Sequence, residues 1–219
     1  MAGGQTAHAY LFSGPRGVGK TTSARVLAKA LNCENAKEGE PCSECASCRS
    51  ISEGSSIDIT EIDAASHNGV DNVREAILEH VRFTPVKNRY KIYILDEAHM
   101  LTGPAWNAML KTLEEPPEYA LFIFATTELH KIPLTILSRC QRYDFKRINP
   151  ELMAKRINDL AKLEKVKIEP SVVASIVRHA EGCVRDAETL LGQMLALGEK
   201  DINADVAGFV IPLSRVPRA

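Results

Sequence analysis

The run Gly14-Pro15-Arg16-Gly17-Val18-Gly19-Lys20-Thr21 has the form G-x-x-x-x-G-K-T. Its glycines let successive backbone N–H groups face a phosphate with no Cβ in the way. A helix opening at the end of such a run adds the positive end of its dipole. Lys20 then reaches the β- and γ-phosphates, Thr21 offers its hydroxyl to Mg²⁺, and Thr22 lies in the same first turn. The plain alternative is a glycine turn that only joins a strand to a helix. The flanks favour nucleotide binding, because Tyr10-Leu11-Phe12 reads as a short strand and the chain from Thr21 reads as a helix.

A second chemical signal is Ile92-Tyr93-Ile94-Leu95-Asp96-Glu97-Ala98-His99, an apolar strand ending in two carboxylates about 75 residues after the phosphate loop. In a phosphate-loop NTPase the carboxylate at this strand end holds Mg²⁺, which assigns Asp96 to the metal. A second carboxylate beside it orients and deprotonates the attacking water, which assigns Glu97 as the base. Many strands simply end in polar residues. Glu97 separates a hydrolase from a nucleotide-binding scaffold.

Cys33, Cys42, Cys45 and Cys48 are spaced C-x8-C-x2-C-x2-C. Four thiolates so close together can close a tetrahedron around one Zn²⁺, a structural site with no open position. An iron–sulfur cluster is the competing reading, because C-x2-C-x2-C also occurs in ferredoxins, but the usual fourth cysteine followed by proline is missing. Cys140 and Cys183 stand alone and read as small buried hydrophobes. Three further polar groups carry weaker signals. Thr126 and Thr127 end an apolar run, Arg139 follows a short helical turn, and Arg185 opens a late helix. By themselves these read as a strand cap and two surface arginines.

The elements that must hold these groups alternate. Tyr10–Phe12, Ile57–Ile62, Ile92–Leu95 and Ala120–Phe124 read as strands, two of them apolar throughout, as strands buried on both faces are. The spacing predicts helices over Thr21–Leu31, Val70–Val81 and Pro104–Leu113. Such alternation implies a parallel sheet with helices on both faces. After Asn149-Pro150 only helical patterns follow. The fold class is therefore α/β: a phosphate-loop domain over 1–148 with a cysteine knuckle at 33–48, a small all-α domain over 149–210, and a tail over 211–219 read as a cloning remnant.

Composition narrows the classes. The 219 residues are 45% apolar and 25% charged, an ordinary globular mixture with material for a core. With 27 basic and 28 acidic residues, any nucleic-acid role rests on a local patch or a partner. The longest apolar run, Tyr119–Ala125, is seven residues, too short to cross a bilayer. The first residues show neither a basic nor an apolar export segment, so the expected setting is cytoplasmic, where thiols stay reduced and bind metal.

The combination resembles the gamma/tau family of AAA+ clamp-loader ATPases of bacterial DNA polymerase III. The residues that carry the resemblance are the phosphate loop, Ala30-Leu31-Asn32-Cys33 with the knuckle, Glu61–Ser66, Tyr93–Leu101, Leu110–Pro117, Ala125-Thr126-Thr127, Ile136–Cys140 and Gly182–Ala187. They run in family order over about residues 8 to 210. The resemblance implies an AAA+ fold with a helical lid domain and an ATPase using ATP, Mg²⁺ and Zn²⁺. It matches Thr127 to the sensor of the γ-phosphate, Arg139 to the finger that acts in trans on a neighbour's ATP, and Arg185 to the second sensor on the lid. It implies a machine that opens a sliding clamp, places it on primed DNA and releases it on hydrolysis. The implied partners are delta, delta prime, further gamma/tau copies, the clamp and primed DNA, with no membrane.

Family members also carry a longer stretch before the first strand, part of which wraps the adenine, and a helical collar after about residue 210. The chain departs from the family at both ends and reads as a fragment. Two other readings remain. One is a delta prime-like scaffold, which keeps the knuckle and finger but has a degraded phosphate loop. The other is a different AAA+ DNA motor such as a branch-migration helicase, against which the knuckle argues.

Overall fold

The computed structural model describes residues 6–211. The tail expected over 211–219 lies outside them except for Ile211, which is buried in the helical unit. Contacts divide the chain into two units. Among the described residues, one holds 6–14 together with Gly19–Phe145, and the other holds Pro15–Val18 with 146–211.

The first unit runs β1 (Ala9–Ser13), α1 (Lys20–Asn32), α2 (Ala46–Ser52), β2 (Ile59–Asp63), α3 (Val70–Val73), β3 (Lys91–Asp96), α4 (Gly103–Glu114), β4 (Ala120–Thr126), α5 (Leu134–Leu137) and β5 (Gln141–Asp144). Its five strands are parallel, in the order β2-β3-β4-β1-β5. Strand period divides the core between two faces. Tyr10, Phe12, Ile92, Ile94, Leu121 and Ile123 pack against Ala24, Leu27 and Ala28 of α1. Leu11, Tyr93, Leu95, Phe122 and Phe124 face Trp106, Met109 and Leu113 of α4. Thus β4 is buried along its whole length, and β5 is exposed at the edge. Thr102 caps α4, accepting the Ala105 N–H, and Pro104 sits in the first turn where its missing N–H costs nothing.

The helix expected over 70–81 takes a different form. After the four residues of α3 the chain widens into a π turn over Arg74–Leu78, where the Glu79 N–H donates to the Arg74 carbonyl at 3.0 Å. The apolar spacing explains the widening. Val73, Ile77 and Val81 recur every fourth residue, more slowly than the α period, and a wider turn keeps all three buried on one line.

Asp58 anchors the entry to β2. It is 1% exposed and accepts the N–H groups of Val86, Lys87 and Asn88 at 2.7, 2.9 and 2.9 Å. Burial pushes its carboxyl up, but the three donors and the Lys91 charge outweigh burial and hold it below its usual value. A carboxyl held low contributes stability that is complete above its ordinary value near ~4 and is lost as pH falls through the folded value. Asp58→Asn is therefore expected to cost ~1–3 kcal/mol at neutral pH, with the gap to wild type closing in acid. Denaturant unfolding at both pH values checks this, and an equal loss at both would remove the charge from the account.

The second unit contains α6 (Pro150–Leu163), β6 (Lys167–Ile168), α7 (Pro170–Ala180), α8 (Val184–Leu195), β7 (Asp201–Ile202) and α9 (Ala204–Gly208). Its core is Met153, Ile157, Val172, Ile176, Leu191 and Met194 with their neighbours. The β6–β7 pair is an addition to the helical pattern, since two-residue strands carry no readable period. No helix among the described residues is long and apolar enough to cross a membrane.

Candidate active site and cysteine centre

Strand order brings the chemistry together. β4 pairs with β1 on one side and β3 on the other, with Ser13 opposite Thr126 and Leu95 opposite Phe124. All strands being parallel, Ser13-Gly14, Asp96-Glu97 and Thr126-Thr127 emerge at one edge, the carboxyl end where open α/β sheets bind ligands. Gly14, at φ 148°, lies so close to Phe145 that a side chain there would collide with its backbone, and Gly19, at φ 96°, turns the chain left-handed into α1. Lys20 is buried, and its ammonium donates to the Gly14 carbonyl at 2.9 Å. Thr22 is exposed on the first turn of α1. Pro15, Arg16, Gly17 and Val18 group with the second unit.

The Thr21 hydroxyl donates to Asp96 Oδ2 at 2.7 Å, and the Glu97 N–H donates to Asp96 Oδ1 at 2.9 Å. The two groups assigned to Mg²⁺ are thus in direct contact across α1 and β3. Glu97 sits at φ 44°, ψ 44°, a left-handed conformation that costs a non-glycine residue roughly 1 kcal/mol or more. That turn ends β3 and starts the short 3₁₀ turn Ala98–Met100. Thr127 donates its hydroxyl to Glu97 Oε2 at 3.0 Å. Thr126, the other threonine, is fully buried and bonds His99 Nδ1 at 3.1 Å.

The two arginines are placed separately. Arg139 follows α5 and makes a 2.6 Å ion pair with Glu114 at the end of α4, while also donating to the Thr135 carbonyl at 2.5 Å. It is therefore held by its own chain. Arg185 is exposed in the first turn of α8 in the second unit. There its backbone N–H lies 3.4 Å from the Gly17 carbonyl, and the Val184 N–H donates to the same oxygen at 2.9 Å. A side chain on Gly17 would collide with Cys183 Sγ, so this close approach requires glycine. Arg16 makes a long, exposed ion pair with Asp186 at 4.0 Å.

The cysteine centre sits where α1 ends and α2 begins. The sulfurs of Cys33, Cys42, Cys45 and Cys48 all lie within 4.8 Å of one another. A tetrahedral zinc with Zn–S near ~2.3 Å places its sulfurs ~3.8 Å apart, so one ion fits this set with little movement. Backbone N–H groups already point at the sulfurs: Cys42 to Cys33 at 3.3 Å, Cys45 to Cys42 at 3.3 Å, and Cys48 to Cys45 at 3.4 Å. Such donors stabilise thiolates, and the Cys42 N–H lowers the Cys33 thiol. Burial pushes Cys48 up to about 12, a burden that a bound dication removes by displacing the proton. Cys140 packs against the sheet core, where burial pushes it up to about 12, and Cys183 is buried against Gly17.

Sequence reading passed over His99, Glu128 and Glu114. His99 had a signal, since it lies three residues beyond Asp96 in the same strand-end run. Glu128 and Glu114 had none, because their partners lie 29 and 25 residues away in sequence.

Residues 1–149 match the family model described as DNA polymerase III, delta subunit. The chain belongs to this family of DNA polymerase III subunits. Curated relatives place it beside gamma/tau. It is 55% identical to DNA polymerase III subunit tau of Bacillus subtilis over 86% of this chain and 33% of that protein. It is 43% identical to the tau subunit of Escherichia coli over 95% of this chain and 32% of that protein. The chain thus spans about one third of the length of these relatives. Among solved structures, the Thermotoga maritima RuvB Holliday junction branch migration motor matches with a TM-score of 0.65 at 17% identity, covering 94% of this chain and 62% of that one. That likeness establishes the AAA+ type of fold.

Proposed function

We propose that this chain is the ATP-binding and ATP-hydrolysing part of a gamma/tau motor subunit of the clamp loader. The whole protein would work with delta, delta prime and further gamma/tau copies to load the sliding clamp onto primed DNA. One observation carries the reading: Lys20, Thr21, Asp96, Glu97 and Thr127 converge at the carboxyl ends of β1, β3 and β4, with Thr21 touching Asp96 and Thr127 touching Glu97. A delta prime-like scaffold has no use for an intact lysine, metal pair and base in one place.

In this reading the loop N–H groups and Lys20 hold the β- and γ-phosphates. Thr21 and Asp96 would hold Mg²⁺, which supplies charge neutralisation to the phosphate oxygens when bound. Glu97 accepts the proton of the attacking water as its oxygen bonds to the γ-phosphorus and the bond to ADP breaks. Thr127 fixes the Glu97 carboxylate and stands beside the incoming water. Arg185 would sense the nucleotide from the helical unit, and Arg139 would complete the site of a neighbour. Zn²⁺ at the four cysteines would be structural.

The test separates binding from chemistry. Lys20→Ala is expected to weaken ATP binding ~10-fold or more through loss of a charge-assisted contact. Glu97→Gln is expected to keep ATP affinity and slow hydrolysis ~10²-fold or more in the assembled loader, because the amide keeps the shape and loses the base. Full turnover by Glu97→Gln would overturn the hydrolytic role.

A further inference from the structure

The side chain of His99 is only 6% exposed, and both ring nitrogens face oxygen. Nε2 lies 3.2 Å from Glu128 Oε1. A carboxylate only accepts, so each ring nitrogen engages its carboxylate only as an N–H donor, Nε2 toward Glu128 and Nδ1 toward Glu97. Nδ1 lies 3.1 Å from Thr126 Oγ1 and 3.4 Å from Glu97 Oε2. Thr126 is itself fixed, because its oxygen accepts the Glu128 N–H at 3.0 Å. Glu128 is steadied in turn by Lys131 at 2.8 Å and approached by His130 at 3.8 Å. Those contacts hold its carboxyl below the usual range, the Lys131 hydrogen bond foremost. The ring is therefore held from the end of β4, by Glu128 at Nε2 and Thr126 at Nδ1.

We propose that His99 is a positioning residue for Glu97: anchored by Glu128 and Thr126, its Nδ1 edge and the Thr127 hydroxyl together fix where the Glu97 carboxylate stands. The need for such a brace is visible in the backbone. Glu97 occupies a left-handed turn at a strand end, with its side chain 33% exposed. Thr127 holds only one oxygen, and it holds it from one side. His99 Nδ1 is a second group at that same oxygen, 3.4 Å away, and the tight turn at residues 97–100 makes this possible by folding His99 back toward β4. A base misplaced by about 1 Å loses much of its rate, while substrate affinity, set by the phosphate loop, is untouched.

This inference rests on Glu97 acting as the base, so Glu97→Gln is measured alongside it. The experiment uses the full-length protein in the assembled loader with clamp and primed DNA, reading kcat and KM for ATP. His99→Gln keeps a donor near Nε2 and removes the Nδ1 edge, and it is expected to lower kcat ~10-fold with KM little changed. His99→Asn keeps a donor where Nδ1 stood and is expected to recover most of that loss. A residue that matters only for packing gives no such contrast. In a Glu97→Gln background, His99→Gln is expected to cause no further loss, because there is no base left to position. If Glu97→Gln alone leaves turnover intact, the reading of Glu97 fails. If Glu97→Gln slows turnover but His99→Gln does not, or if His99→Asn and His99→Gln are equally slow, the positioning role is overturned.

Discussion

Replacing Arg139 with alanine is expected to lower ATP turnover by the assembled loader ~10³-fold or more, with nucleotide affinity at the subunit's own site unchanged. The magnitude is that of arginine fingers, whose charge offsets the negative charge spread over the γ-phosphoryl oxygens in the transition state. The structure sharpens the alternative, because Arg139 is paired with Glu114 and the Thr135 carbonyl of its own chain. Its side chain is 31% exposed and that of Glu114 50%, so the pair is worth at most ~1 kcal/mol to the monomer. A purely internal role therefore predicts a small loss of thermal stability, the same loss for Glu114→Ala, and no effect on a neighbour. A finger predicts complementation: a subunit with Arg139→Ala and one with Lys20→Ala rebuild an intact site at the interface to which one brings Lys20 and the other Arg139. Fast turnover by a verified monomer, indifferent to Arg139→Ala, would decide for the internal role. The Glu114 contact is compatible with a finger, since a guanidinium held by one carboxylate at its Nη2 keeps other donors to offer.

The second large effect concerns the four cysteines. Purified protein is expected to contain about one zinc per chain and to be colourless, and chelation is expected to disorder residues 33–48. The knuckle has little apolar core of its own: beyond Cys48, only Ile51 of α2 is a buried hydrophobe, and residues 34–40 are all exposed. Structural zinc supplies ~10 kcal/mol or more of folding free energy in small metal domains, which apolar burial of this size does not replace. Cys45→Ser removes a ligand and also the sulfur that caps α2 by accepting the Cys48 N–H. It is expected to lower the melting temperature well beyond its effect on ATP affinity, because the centre lies at the far end of α1 from Lys20 and Thr21. Metal analysis, absorption spectra and thermal melts with and without chelator check this. Brown protein with charge-transfer bands, or metal-free protein of unchanged stability, would overturn it.

Local pattern alone carried much of this molecule. The phosphate loop, the Asp96-Glu97 strand end and the cysteine spacing are short-range chemistry, in which the residues that cooperate lie within a few positions of one another. Their glycines and caps act through φ angles and adjacent N–H groups, which a short window displays. The apolar strands Ile92–Leu95 and Ala120–Phe124 were legible for the same reason: burial on both faces leaves no polar residue to interrupt the run. The π turn at 74–78 was not read, because a four-residue apolar spacing passes for an ordinary helix until it is seen what the side chains must reach.

The pairings across distance were decided only by the tertiary structure. Strand order is set by which faces can be buried together, so only the fold showed that β4 lies between β1 and β3, setting Thr127 against Glu97 and Thr126 against His99. Likewise, Arg139 in sequence is an arginine after a turn, and it acquires Glu114 only because α4 and α5 pack together. Glu128 reads as an ordinary surface acid, yet it meets His99 because a left-handed residue at 97 folds the following turn back toward the end of β4. Sequence therefore determined which groups are present and what local conformation each prefers. Geometry between groups far apart in the chain is fixed by packing of the sheet and its helices, a collective property of the core that no single motif contains.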